Sequence, residues 1–143
     1  MYLLSPKGFL QVGGAVLVLV GVLGFFGVIG PTVEDSLFGS VWWFDTAENW
    51  AHLVLGVVGV AASFVLDAKM SRMLVMVLGV VGILVGVYNV FSPELLGANL
   101  ESPADLLLHL VVGAWAIAAA TMKGKMGMSG APTSSMPMGG AAM

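Results

Sequence analysis

From Phe9 to Gly30 the chain carries no charged side chain, and three further apolar runs of similar length follow, about Thr46 to Leu66, Arg72 to Phe91 and Pro103 to Met122. Roughly 20 such residues in an α-helix cross the hydrocarbon core of a bilayer. Backbone amides in lipid must be satisfied within their own segment, which leaves the helix as the structure for a run of this kind. The composition agrees, with 59% of the 143 residues hydrophobic and 9% charged, against about 25% charged in soluble domains. The expected fold is all-α, a bundle of four transmembrane helices covering about 9–30, 46–66, 72–91 and 103–122, followed by a tail over 123–143. Lys7 ahead of the first run imitates a secretory signal. That run ends without a small-x-small cleavage site and is long enough to span, so it is read as a retained helix.

The charges sort by connection. Lys7, Lys69, Arg72, Lys123 and Lys125 are all of the basic residues, and they fall before the first run, between the second and third, and after the fourth. Seven of the eight acids lie in or just after the other two connections: Glu34, Asp35, Asp45 and Glu48, then Glu94, Glu101 and Asp105. The excess of Lys and Arg on cytoplasmic loops orients such a chain N-in and C-in, as a multi-pass protein of the cell membrane whose first partner is the lipid bilayer. A net charge of -3 without a basic run excludes nucleic acid as a partner. With no cysteine, neither a disulfide nor a thiolate metal site can form.

The chain writes one pattern twice. Glu48, His52 and Gly56 recur as Asp105, His109 and Gly113, each at i,i+4 spacing, so that a carboxyl, an imidazole and a glycine share one helical face in each case. Gly21 and Gly24 correspond to Gly79 and Gly82, and Gly39 to Gly97. The expected architecture is therefore a tandem duplication of a helical hairpin, its halves related by an axis along the membrane normal, which places the two histidines at matching depth. The G-x-x-x-G of Gly82 and Gly86 suits close helix packing.

Asp45 or Thr46 with Glu48, and Ser102-Pro103 with Asp105, read as helix N-termini with an acid in the first turn, where it complements the helix dipole. As caps these acids need no chemistry. The histidines lie further inside their helices, where a polar side chain must face protein or a wet cavity. One expectation is a purely structural bond across the bundle from each histidine to a carboxyl or a backbone carbonyl, for example His52 to Asp105 and His109 to Glu48. Another is a cofactor site, His52 and His109 ligating a haem, a chlorin or a metal, with Glu48 and Asp105 as further metal ligands or supports. A third is a proton or ion relay through the acid-histidine pairs. Asn49 and Asn89 could widen such a site, but no catalytic motif is present and the cofactor is unknown from sequence.

Trp42, Trp43 and Phe44 precede the second run, so the segment from Ser36 to Phe44 is expected on the membrane surface as a short helix or re-entrant piece, anchored by its aromatics. The tail is rich in Gly, Ser, Pro and Met and is expected to be flexible. Its Met126/Met128 and Met136/Met138 pairs offer soft thioether sulfur suited to Cu(I), on a side of the membrane that fits copper capture poorly.

The run Asn49-Trp50-Ala51-His52-Leu53-Val54-Leu55-Gly56, the preceding Ser36-Leu37-Phe38-Gly39, and Asp105 to Gly113 with its own His resemble an uncharacterised family of prokaryotic four-helix integral membrane proteins with an N-x-x-H-L-x-x-G motif. The resemblance implies the four-helix fold and its orientation and brings no activity with it. The expected function is that of a non-enzymatic accessory or scaffold subunit, packing against itself or against other membrane subunits. The alternative is a cofactor-binding or proton-handling protein using His52 and His109.

Overall fold

The computed structural model describes residues 2–100 and 103–122; the tail, with its expected flexibility and Met pairs, lies outside the described residues, as does Ser102. Four α-helices carry the fold: α1 (Pro6–Phe25), α2 (Thr46–Val65), α3 (Ala68–Asn89) and α4 (Ala104–Thr121). All four are long and apolar enough to cross a membrane, and the chain reads as a multi-pass membrane protein.

Local chemistry sets the helix ends. Ser5 accepts a hydrogen bond from the Gly8 amide at 3.0 Å and Pro6 takes the first helical position, so α1 starts one turn before Phe9. It stops at Phe25 rather than Gly30 because the chain turns left-handed at Gly27, φ 73°. The third helix also begins earlier than Arg72. Asp67 accepts from the Met70 amide at 2.7 Å and caps α3 directly, leaving Leu66 and Asp67 alone to join α2 to α3. Lys69, expected in the connection, is therefore in the first turn of the helix, and Arg72, expected at the helix start, lies one turn inside it.

Two longer connections meet at the opposite end. Residues 26–45 fold over the start of α2, with the Leu37 amide donating to the Val28 carbonyl and the Phe44 amide to that of Ile29. Within the segment from Ser36 to Phe44 the helical part is a single 3-10 turn, Gly39–Val41. The second connection holds a small element that the all-α expectation lacks, strands β1 (Glu94–Leu95) and β2 (Ala98–Asn99) paired antiparallel. Leu96 and Gly97 turn them with φ of 54° and 84°, as tight hairpins require.

Helix α1 packs along α2, and α3 along α4; contact between these two hairpins is thinner and made mainly by α1. Glycine lets each pair close. A Cβ at Gly14 would fall 2.9 Å from the Gly56 carbonyl oxygen, and one at Gly79 3.0 Å from that of Gly113. Likewise Gly21 faces Leu53 as Gly86 faces Leu110. In this register Gly14 answers to Gly79 and Gly21 to Gly86, so the correspondence of Gly21 with Gly79 and of Gly24 with Gly82 is displaced by about two helical turns. Periodic glycines match themselves in several registers; only the contacts select one.

An apolar cluster of Phe9, Leu10, Ala62, Val75, Ala116, Ala119 and Ala120 joins the two hairpins near the short α2–α3 turn. Trp115 seals it, edge-on to Phe9 at 4.7 Å and donating its indole N–H to the Leu3 carbonyl at 2.7 Å. The buried acids and amides, Glu48, Asn49, Asn89 and Asp105, gather at the other end.

Candidate functional site

At the loop end the start of α2 is held by a reciprocal cap. The Asp45 carboxylate accepts from the Glu48 amide at 2.8 Å, and the Glu48 carboxylate accepts from the Asp45 amide at 3.2 Å. The second Asp45 oxygen accepts from the Asn99 amide at 2.7 Å. One side chain thus caps α2 and ties it to the β-turn of the other hairpin, a long-range role that a local capping pattern cannot announce.

Helix α4 is capped differently. Pro103 stands at the N-cap position and makes no side-chain cap bond. The cap comes from Asn89 at the end of α3, whose amide oxygen accepts from the Leu106 N–H at 3.1 Å while its NH2 donates to the Leu100 carbonyl at 3.2 Å. Ser102 of the expected Ser102-Pro103 cap lies outside the described residues; among those described it is Asn89, brought in by the fold, that serves the first turn of α4.

Glu48 and Asp105 are both buried, and His52 and His109 are half-buried one turn further along their helices. The cross-bundle pairs His52 to Asp105 and His109 to Glu48 do not form as the histidine bonds. Instead His52 Nδ1 lies 2.8 Å from the Glu48 backbone carbonyl and His109 Nδ1 lies 2.7 Å from the Asp105 backbone carbonyl. A carbonyl four residues back is available in any helix, so each imidazole finds its partner on its own chain segment. With Nδ1–H donating, the neutral ring keeps its lone pair on Nε2. His52 also stacks on Phe44, centroids 4.6 Å apart and planes 4° apart, at the end of an aromatic series running from Phe38 through Trp42.

Asn49 is the fully buried side chain nearest in sequence to His52, and neither its amide oxygen nor its nitrogen has a hydrogen-bond partner. It occupies the space that a side chain on Gly24 would take. By the contact register, Asn89 stands where Gly24 stands and Leu106 where Asn49 stands. Each hairpin has one amide in this gap, borne on opposite helices.

Among the described residues no three His, Asp or Glu side chains group to hold a metal ion. Glu48, His52, Asp105 and His109 thus share one end of the bundle without assembling as a single set of metal ligands. The bonds from Asp45 to Asn99 and from Asn89 to Leu106, and the stack of Phe44 on His52, escape a reading of the sequence because each joins segments that only the fold brings together.

A family model described as "Domain of unknown function (DUF4383)" matches residues 7–122, the four helices and both long connections. No curated protein and no solved structure matches the chain.

Proposed function

We propose that this chain, which belongs to the family described as Domain of unknown function (DUF4383), is a small non-enzymatic subunit of the cell membrane that packs against itself or a larger membrane complex. What supports the reading is the use made of its buried polar groups: Asp45 and Glu48 cap α2, Asn89 caps α4, and each imidazole bonds its own helix. Groups spent in this way fix helix register and depth. The outward surfaces of α2 and α3, Val54, Val57 and Val58 with Val77, Val81 and Leu84, are exposed and apolar and suit lipid or a neighbouring helix. The matched glycine contacts of the two hairpins favour descent from a duplicated hairpin, and the placement of all five cations favours N-in and C-in. Extraction into polymer-bounded native discs followed by single-molecule subunit counting tests the role. Discs holding several copies, or one copy with stoichiometric partner chains, are expected; solitary copies refute it.

A second reading, a cofactor or proton site at His52 and His109, is favoured by one observation. Both rings are held at Nδ1 by a backbone carbonyl, the support that fixes a ligating or proton-accepting Nε2. Protein purified from its own membranes would show a Soret or chlorin band, or stoichiometric metal, lost in His52→Ala. A colourless, metal-free sample removes the cofactor form of this reading.

A further inference from the structure

At the loop end an open cleft of about 690 Å³ lies between the first connection, the start of α2 and the β-turn of the second connection. Trp43, Trp50, Glu34 and Asp45 are among the residues that line it, together with Gly97 of the second connection, and among the described residues no Lys, Arg or His does. Such a volume falls in the range of small-molecule sites, about 300–1,000 Å³.

The chemistry of the walls selects among ligands. Asp45 is held in place by the Glu48 and Asn99 amides at 2.8 and 2.7 Å, so its charge is a fixed feature of the wall. Glu34 is exposed and makes no hydrogen bond or ion pair among the described residues. The positive end of the α2 dipole also reaches this region, but Asp45 and Glu48 already answer it within the first turn. Trp50 is braced edge-on by Phe25, ring centroids 5.1 Å apart, which holds the indole at the cleft while it stays about half exposed. Ca²⁺ and Mg²⁺ require six or more oxygens, often several of them carboxylate. Among the described residues no three acids or imidazoles converge to supply them. An organic ammonium group has no such demand: it is drawn to indole faces and needs only nearby negative charge, and in its quaternary form it is also weakly hydrated.

We propose that this cleft binds an organic ammonium group, seated against Trp50 and Trp43 and neutralised by Glu34 and Asp45. The ligand is either the amine headgroup of a lipid or a free amine in the adjoining water. Because it touches elements of both hairpins, it would add to the Asp45 to Asn99 tie between them at this end. This site is independent of the packing role and of the histidine pair.

Isothermal titration with choline chloride, on protein in phosphatidylglycerol nanodiscs with empty discs as baseline, tests the proposal. Saturable binding is expected in the protein-loaded discs only, with affinity at least tenfold weaker in Glu34→Gln and in Trp50→Leu. Glu34 is exposed, so its substitution leaves the fold intact and its result stands alone. Repeating the titration in discs containing phosphatidylethanolamine separates the sources. Competition by the bilayer assigns the site to a lipid headgroup, and undiminished choline binding assigns it to a free amine. No saturable binding above the empty discs, or a Glu34→Gln protein that binds as the parent does, overturns the proposal.

Discussion

Replacing Gly56 with alanine tests how the hairpins are held together. The added Cβ would lie 2.6 Å from the Val18 backbone nitrogen and 2.7 Å from the Gly14 carbonyl oxygen. Neither atom belongs to a flexible side chain, so α1 and α2 must separate to admit it. Overpacking of this kind costs about 1–3 kcal/mol, and with backbone on both sides the upper part of that range applies. Alanine returns up to about 1 kcal/mol of helix propensity relative to glycine. The net loss expected is about 1–2 kcal/mol, roughly tenfold in the unfolding equilibrium. Gly113→Ala should cost a similar amount, because its Cβ meets the Gly79 carbonyl oxygen and the Ile83 nitrogen at 2.9 Å. Gly59 lies on α2 only three residues from Gly56, yet a Cβ there meets nothing closer than the Leu10 carbonyl oxygen at 3.7 Å. Gly59→Ala should therefore be neutral or mildly stabilising. Reversible unfolding in mixed micelles by titrated dodecyl sulfate, followed by helix circular dichroism, measures all three. If Gly59→Ala loses as much as Gly56→Ala, or if Gly56→Ala is silent, the close approach of α1 and α2 through Gly14 and Gly56 is wrong.

Gly24→Ala should destabilise by displacing the Asn49 amide, and Asn49→Ala should largely relieve it, so the double variant is expected to be more stable than the sum of the two single losses predicts; strict additivity in the same unfolding assay would separate the two residues. Asn89→Leu should cost about 1–3 kcal/mol by stripping the cap from α4 and leaving the Leu100 carbonyl without its donor, read as faster amide exchange in the first turn of α4 than in that of α2. Asp45→Ala should loosen the start of α2 and its tie to β2 together, with a loss of about 1–3 kcal/mol and faster exchange at the Glu48 and Asn99 amides; protection unchanged at Asn99 would deny the tie between hairpins. Single cysteines at Ser40 and Ser135 should react with an impermeant thiol reagent on intact cells only at Ser40, and labelling confined to Ser135 would reverse the N-in orientation.

The number and type of the large elements were legible because hydropathy alone demands helices wherever lipid can supply no hydrogen bonds. Their ends were not. α1 stops where Gly27 turns left-handed inside a run that stays apolar to Gly30, and α3 starts at Ala68 because Asp67 caps it, although Lys69 and Arg72 resemble a loop. The spacing of Glu48 with His52 and of Asp105 with His109 was visible and placed each pair on one face. A carbonyl partner for each imidazole was among the expectations, but its place was not: it belongs to the same helix rather than crossing the bundle, because a carbonyl four residues back is the nearest acceptor. The register of α1 against α3 was ambiguous for a related reason: glycines every three to seven residues support several alignments equally.

The two hairpins differ most where their sequences diverge at the loop end. In the second, Pro103 makes no side-chain cap bond, and Asn89 both caps α4 and satisfies its own amide. In the first, Asp45 already caps α2, and Asn49, filling the corresponding gap against Gly24, is left without a partner. An unpaired amide of this kind costs about 1–3 kcal/mol, so packing alone gives no reason to keep it in preference to an apolar residue. The same end of this hairpin carries Phe44 on His52, the Asp45 carboxylate that reaches across to Asn99, and the Glu34 and Trp50 side of a cleft that Gly97 of the other hairpin also lines. With the partnerless amide at Asn49 and the capping amide at Asn89, replacing Asn49 by leucine should cost less stability than Asn89→Leu in the same unfolding assay, and an equal loss would deny the difference between the two gaps.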